Sequence, residues 1–114
     1  MSSKEFEIKQ GDTGPALSTV LLDGDGVPLD LTSAISVGLT MRLAKHPRTL
    51  VLNNETVTFS PDESGEVEYA WGLTDTAVDG LYNIEWTVIW PGTVPVVMTI
   101  PSCGYDKVRV NPRA

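Results

Sequence analysis

The sequence predicts an all-β fold, an antiparallel two-sheet sandwich of about seven to nine strands, and three observations carry that prediction. Apolar residues alternate with polar ones in short runs, the period-two pattern of half-buried strands. Glycine, proline and Asp-Gly pairs interrupt the chain every few residues. Helical periodicity is nearly missing. At 114 residues, 41% of them hydrophobic and 20% charged, the chain is read as one domain over 1–114. That length buries a core without disulfides or metal.

The strands follow in order. Phe6 and Ile8 alternate with Glu5, Glu7 and Lys9, and Gly11 to Pro15 turns the chain. Leu17 to Leu22 is apolar on both faces. Asp23-Gly24-Asp25-Gly26 supplies the positive φ of a tight hairpin. Val37, Leu39, Met41 and Leu43 alternate with Gly38, Thr40 and Arg42. Leu50 to Leu52 and Val57 with Phe59 are short strands, the latter ended by Ser60-Pro61-Asp62. Val67, Tyr69 and Trp71 alternate with glutamates. Tyr82, Ile84, Trp86, Val88 and Trp90 form the longest run, and Asn83, Glu85, Thr87 and Ile89 stand between them. Pro91-Gly92 turns it, Val96 to Ile100 returns, and Val108 with Val110 closes the domain. Thr74 to Val78 fits a single helical turn. Neighbouring strands are expected to be antiparallel because the connections are too short for crossovers.

Asp79-Gly80-Leu81-Tyr82 entering the longest strand suits a tyrosine corner, in which a tyrosine near a strand start sends its hydroxyl to upstream backbone. Tyr82 is therefore expected to be structural, and the sandwich to be immunoglobulin-like. Cys103 is the only cysteine, so the inter-sheet bridge of antibody domains is absent, as suits folding in a reducing cytoplasm.

Several functions are disfavoured by composition. The formal net charge is −7, which repels phosphate backbones and argues against nucleic acid as a partner. Met1 to Gln10 lacks the apolar core of a signal peptide, and no stretch approaches a membrane span. One cysteine and one histidine, His46, cannot make a structural zinc site. Asp23, Asp25 and Asp30 resemble the start of a calcium loop, but Pro28 and Ala34 stand where an EF-hand needs glycine and glutamate. No nucleophile–base pair, Gly-x-Ser-x-Gly elbow or glycine-rich phosphate loop is present. Neither enzyme activity nor a cofactor is expected.

Two segments are candidate partner contacts. Trp90, Pro91 and Val94 place apolar groups at a proline-fixed hairpin tip, where tryptophan is a frequent hot spot. Arg42, Lys45 and Arg48 surround His46-Pro47 in a basic loop suited to an acidic surface of a second copy or of another subunit. The alternatives are that Trp90 folds back as the lid of the core and that the basic loop is solvated.

Three pieces of the chain together resemble the N-terminal, BppU-type domain of siphophage upper baseplate proteins. The first is Phe6-x-Ile8-x-x-Gly11-Asp12-Thr13-Gly14-Pro15. The second is Leu29-Asp30-Leu31-Thr32 leading into Val37 to Arg42. The third is Gly65-x-Val67-x-Tyr69-x-Trp71, then Asp75-Thr76 and Asp79-Gly80-x-Tyr82. In that family the domain is an immunoglobulin-like module that fixes a larger protein onto the phage tail tip. The resemblance implies a structural subunit of a virion, of the tail or baseplate, made in the host cytoplasm and present in many copies. The chain ends at Ala114 without a linker or receptor-binding module, so it reads as a separate subunit or one whose partner is encoded elsewhere. A capsid decoration or head–tail connector subunit is an alternative. So is an adhesin-like module binding a host-surface sugar. Trp71 and Trp86 share the core register of their strands, which weakens that last reading.

Overall fold

A computed structural model describes residues 5–23, 25–72, 74–92, 96–100 and 107–112, with only the backbone at 96 and 98–100. Nine strands lie among them: β1 (Glu5–Lys9), β2 (Leu17–Val20), β3 (Ser36–Leu43), β4 (Leu50–Thr56), β5 (Thr58–Phe59), β6 (Glu66–Tyr69), β7 (Gly80–Trp90), β8 (Val96–Ile100) and β9 (Lys107–Asn111). There is no helix among the described residues; 74–76 form a hydrogen-bonded turn rather than a helical one.

The strands make two sheets. The larger runs β1-β9-β7-β3-β4, with β8 also on β7, and the smaller runs β2-β6-β5. This is the strand order of an immunoglobulin-like sandwich. The eleven-residue β7 organises the larger sheet. One edge pairs β3 from Tyr82 to Ile89. The other pairs β9 at Gly80–Asn83 and β8 at Trp86–Trp90.

One pairing differs from expectation. β1 and β9 run parallel, Phe6 opposite Val108 and Ile8 opposite Val110. The connection-length rule applies to strands adjacent in sequence, whereas these are the first and last strands, free to meet in either sense. Their inward residues are buried. Outside, the Arg109 guanidinium grips both carboxylate oxygens of Glu5, at 2.9 and 3.1 Å, and holds the Glu5 carboxyl below its usual range.

The core follows the alternation read from the sequence. Phe6, Ile8, Val37, Leu39, Met41, Tyr82, Ile84, Trp86, Val88, Val108 and Val110 come from the larger sheet, and Leu17 and Val67 from the smaller. Leu21, Leu29, Leu31, Val57 and Trp71 close the ends. Trp86 is fully buried, and its indole nitrogen has no hydrogen-bond partner among the described residues.

β4 is longer than Leu50 to Leu52 because an asparagine pair hides its continuation. Leu39 pairs Glu55 while Met41 pairs Leu52, so β4 carries an extra residue there. Asn54 takes it up with φ of 52° and donates its amide to the Thr40 hydroxyl. Gly38 makes room for it: a Cβ at that position would lie 1.9 Å from the Asn54 Oδ1. A second shift follows at Arg42 and Leu50. Such bulges twist an edge strand away from further pairing.

Gly65 has a stricter requirement. Its φ is 69°, and a Cβ would lie 2.6 Å from the Leu21 carbonyl oxygen, a backbone atom that cannot swing aside. Gly65 in turn accepts the Leu21 amide at 2.8 Å. Gly65→Ala should therefore cost at least about 1–2 kcal/mol from the left-handed backbone alone. Gly38→Ala should cost less, because Asn54 is a side chain that moves, and pairing it with Asn54→Gly should recover part of the loss. Urea unfolding of the three variants measures both.

Candidate interaction surface

The two segments proposed as partner contacts lie at opposite ends of the sandwich. β3 carries Arg42 next to the start of β7, where Leu43 pairs Tyr82. Trp90 ends β7. The six-residue span from Ser36 to Arg42 puts about 20 Å between the two ends. They do not form one surface.

At the Trp90 end, the indole is half-buried and packs on the core, so it has an internal duty and acts as a lid. Pro91 is exposed. Val94 lies outside the described residues, as does Cys103. The exposed apolar groups at this end are others. Val97 on β8 is directly opposite Ile89 on β7, and Ile35, just before β3, donates its amide to the Ile89 carbonyl at 2.7 Å. Ile35 is 57% and Val97 58% exposed, and Ile89 is half-buried on the outward register of β7. Val97 and Ile89 are cross-strand neighbours, and Ile35 is joined to Ile89 through the backbone. Sequence reading passed over them, although Ile89 stood conspicuously among the polar partners of its strand.

At the other end, Arg42, Lys45, His46, Pro47 and Arg48 are all exposed. The loop carrying them is closed by backbone bonds from Leu43 to Thr49, Ala44 to Leu81 and Arg48 to Lys45, at 2.8–2.9 Å. Arg48 sits in the left-handed region at φ 59°. No ion pair engages Arg42, Lys45 or Arg48 among the described residues.

Tyr82 is 2% exposed, and its hydroxyl donates to the Val78 carbonyl at 2.8 Å. That is the geometry of a tyrosine corner. Burial, and then the charge of Asp79, raise its pKa above the ordinary 10.0. Neighbouring Tyr69 donates to Asp75 Oδ2, which also accepts the Gly72 amide at 2.6 Å. Burial and this hydrogen bond raise the Tyr69 pKa further. Trp71 donates its indole N–H to the Pro15 carbonyl, Thr76 its hydroxyl to the Asp12 carbonyl, and Gly11 its amide to the Thr76 carbonyl. The 71–79 segment is thereby tied to the Gln10–Pro15 loop, a structural cluster rather than a ligand site.

The Asp23 carboxylate is likewise engaged internally. Its Oδ1 accepts the amides of Asp25 and Val27, which closes the hairpin bridged at Leu22 and Pro28. Among the described residues no three His, Cys, Asp or Glu side chains come together as a metal site. The outer face of the smaller sheet carries an open groove of about 480 Å³ lined by Ser18, Val20, Thr58, Ser60, Glu66 and Glu68. No protein-family model matches the chain, and no curated protein matches it.

The raised tyrosine pKa values set an alkaline limit. The folded state keeps these protons to higher pH than the unfolded chain, whose tyrosines ionise near 10.0. Their contribution is complete below that pH and is lost as pH rises through the folded values. Unfolding free energy should fall above about pH 10, and less steeply in Tyr69→Phe and Tyr82→Phe. At neutral pH, Tyr82→Phe should cost roughly 0.5–1.5 kcal/mol, the net worth of one hydrogen bond. Denaturant unfolding as a function of pH checks both expectations.

Proposed function

We propose that this chain is a non-catalytic structural subunit of a bacteriophage particle, in the tail or baseplate, and that it works through protein–protein contacts. The observation that carries the contact role is the exposure of Ile35 and Val97 at one end of the sandwich, with half-buried Ile89 opposite Val97. Contiguous exposed apolar groups on a folded domain mark a surface that meets another protein. The particle assignment is supported by the resemblance of Phe6 to Pro15, Leu29 to Thr32 and Gly65 to Tyr82 to the baseplate domain. A virion subunit made in the host cytoplasm accords with the absence of any possible intramolecular disulfide.

The sugar-binding alternative has less support. Sugar-binding sites commonly offer an exposed aromatic ring. Among the described residues, Phe6, Trp71, Tyr82 and Trp86 are buried, and Phe59, Tyr69 and Trp90 are packed against the core; Tyr105 lies outside them. The capsid-decoration and head–tail connector alternatives use the same kind of surface and differ only in location.

Purified particles, probed by mass spectrometry and by immunogold labelling, test the assignment. The expected result is this chain in the particle, with label on the tail tip. Label on the head favours decoration or connection instead, and particles lacking the chain overturn the reading. Ile35→Ser with Val97→Ser should lower occupancy without unfolding the protein. Each side chain is already partly covered, so each should cost about half of the roughly 1.5–3 kcal/mol that full burial of such a group provides.

A further inference from the structure

The larger sheet carries Glu5, Glu7, Glu55 and Glu85 beside its basic residues, whereas the charged residues on the smaller sheet's described strands are all acidic. The described residues include six of the chain's eight Lys and Arg. Lys9, Lys107 and Arg109 stand at outward positions of β1 and β9, and Arg42 at an outward position of β3; Lys45 and Arg48 lie in the loop at the end of β3. None is on the smaller sheet. That sheet presents Ser18, Val20, Thr58, Glu66 and Glu68 outward, and its groove is acidic.

We propose that copies of this chain associate head to tail, the basic β3–β4 hairpin tip of one copy seating on the acidic groove of the β2-β6-β5 sheet of the next. The partner is a second copy because both halves of a complementary contact are present on one chain. Arg42, Lys45 and Arg48 project from one place without an internal counter-ion among the described residues. Glu66 and Glu68 project from another, and the only described bond to either carboxylate is from the Ser18 hydroxyl to Glu68. The two halves sit on different sheets, so one molecule cannot satisfy itself.

Three further features fit the contact. The tip is held by its own backbone bonds, so little freedom is lost on docking. Leu50, 40% exposed and paired with Arg42, adds an apolar group to the tip. The interface uses two different patches, so it is heterologous and builds rings or filaments rather than closed two-fold dimers. The net charge of −7 opposes association at long range. At about 0.15 M salt, screening beyond roughly 8 Å leaves the local contact dominant.

This inference rests on the reading of the chain as a protein-contact module, and the isolated protein separates the two. Sedimentation velocity at about 0.1 M salt should show concentration-dependent oligomers that dissociate at about 1 M, where the screening length shrinks to about 3 Å. A triple variant, R42E with K45E and R48E, should weaken association by at least about tenfold, as should E66K with E68K, because several ion pairs are reversed at once. All five positions are exposed, and unchanged melting temperatures confirm folding. The decisive step is mixing. At concentrations where each variant alone is monomeric, an equimolar mixture reassembles, since the intact tip of one meets the intact groove of the other and the reversed acidic tip meets the reversed basic groove. A wild-type chain that is monomeric throughout, or variants that oligomerise like wild type, overturns head-to-tail association. So does a mixture that stays monomeric. A monomeric chain that still enters particles overturns this inference alone, whereas a self-associating chain missing from particles overturns the particle assignment alone.

Discussion

The structure depends on one strand serving three partners while its inner face fills the core. β7 pairs β3 along one edge and divides the other between β9 and β8. Tyr82, Ile84, Trp86 and Val88 project from it into the space between the sheets. With a single cysteine in the chain, no covalent pin joins the sheets as in antibody domains, so apolar burial and end contacts must hold them together. Trp86 occupies that centre at the expense of leaving its N–H unpartnered. Such a group costs about 1–3 kcal/mol. A tryptophan buries more apolar surface than any aliphatic replacement.

The end of the sandwich shows how separate stretches of sequence answer one another. The Gln10–Pro15 loop and the 71–79 segment are about sixty residues apart, yet Gln10, Gly11, Asp12 and Pro15 each bond to one of Trp71, Thr76 and Ala77. Tyr82 closes the same corner through Val78. Gly11, Asp12, Pro15, Trp71, Thr76 and Tyr82 among them belong to the pattern behind the proposed baseplate reading. Gly65, at the head of the third piece, is fixed by a left-handed backbone beside the Leu21 carbonyl. The shared pattern is thus a recipe for closing this sandwich. It speaks first to fold, and to function only through the company such folds keep.

The strands were legible in the sequence where one face is buried, because burial enforces alternation. Phe6 with Ile8, Val37 to Leu43 and Tyr82 to Trp90 all read correctly for that reason. Alternation fails at β4, where Asn53 and Asn54 sit on an exposed edge and a bulge breaks the register. The parallel meeting of β1 and β9 was illegible because nothing local links the chain's two ends. The surface was harder still. A tryptophan at a strand end reads as exposed until the fold shows the core beside it, as at Trp90. A valine in an apolar run such as Val96 to Ile100 does not show its facing until its partner strand is known, as at Val97, opposite Ile89.

The edges and faces of the sandwich are not equivalent as places to meet another protein. An exposed strand edge offers backbone groups to any chain, which makes edges indiscriminate. Here β4 has two register shifts, a left-handed asparagine and outward polar residues, so its edge is twisted away from simple extension. β5, at one edge of the smaller sheet, is only two residues long, too short to template a strand. Blunted edges move recognition onto side chains. Side-chain surfaces discriminate through shape and charge, and this molecule has two kinds, exposed apolar groups at one end and a basic loop and an acidic sheet face elsewhere. Burying apolar groups supplies attraction that salt does not weaken, whereas exposed charges supply orientation that salt does weaken. A chain carrying both can hold one neighbour by apolar contact while its charges set the direction in which the next copy approaches.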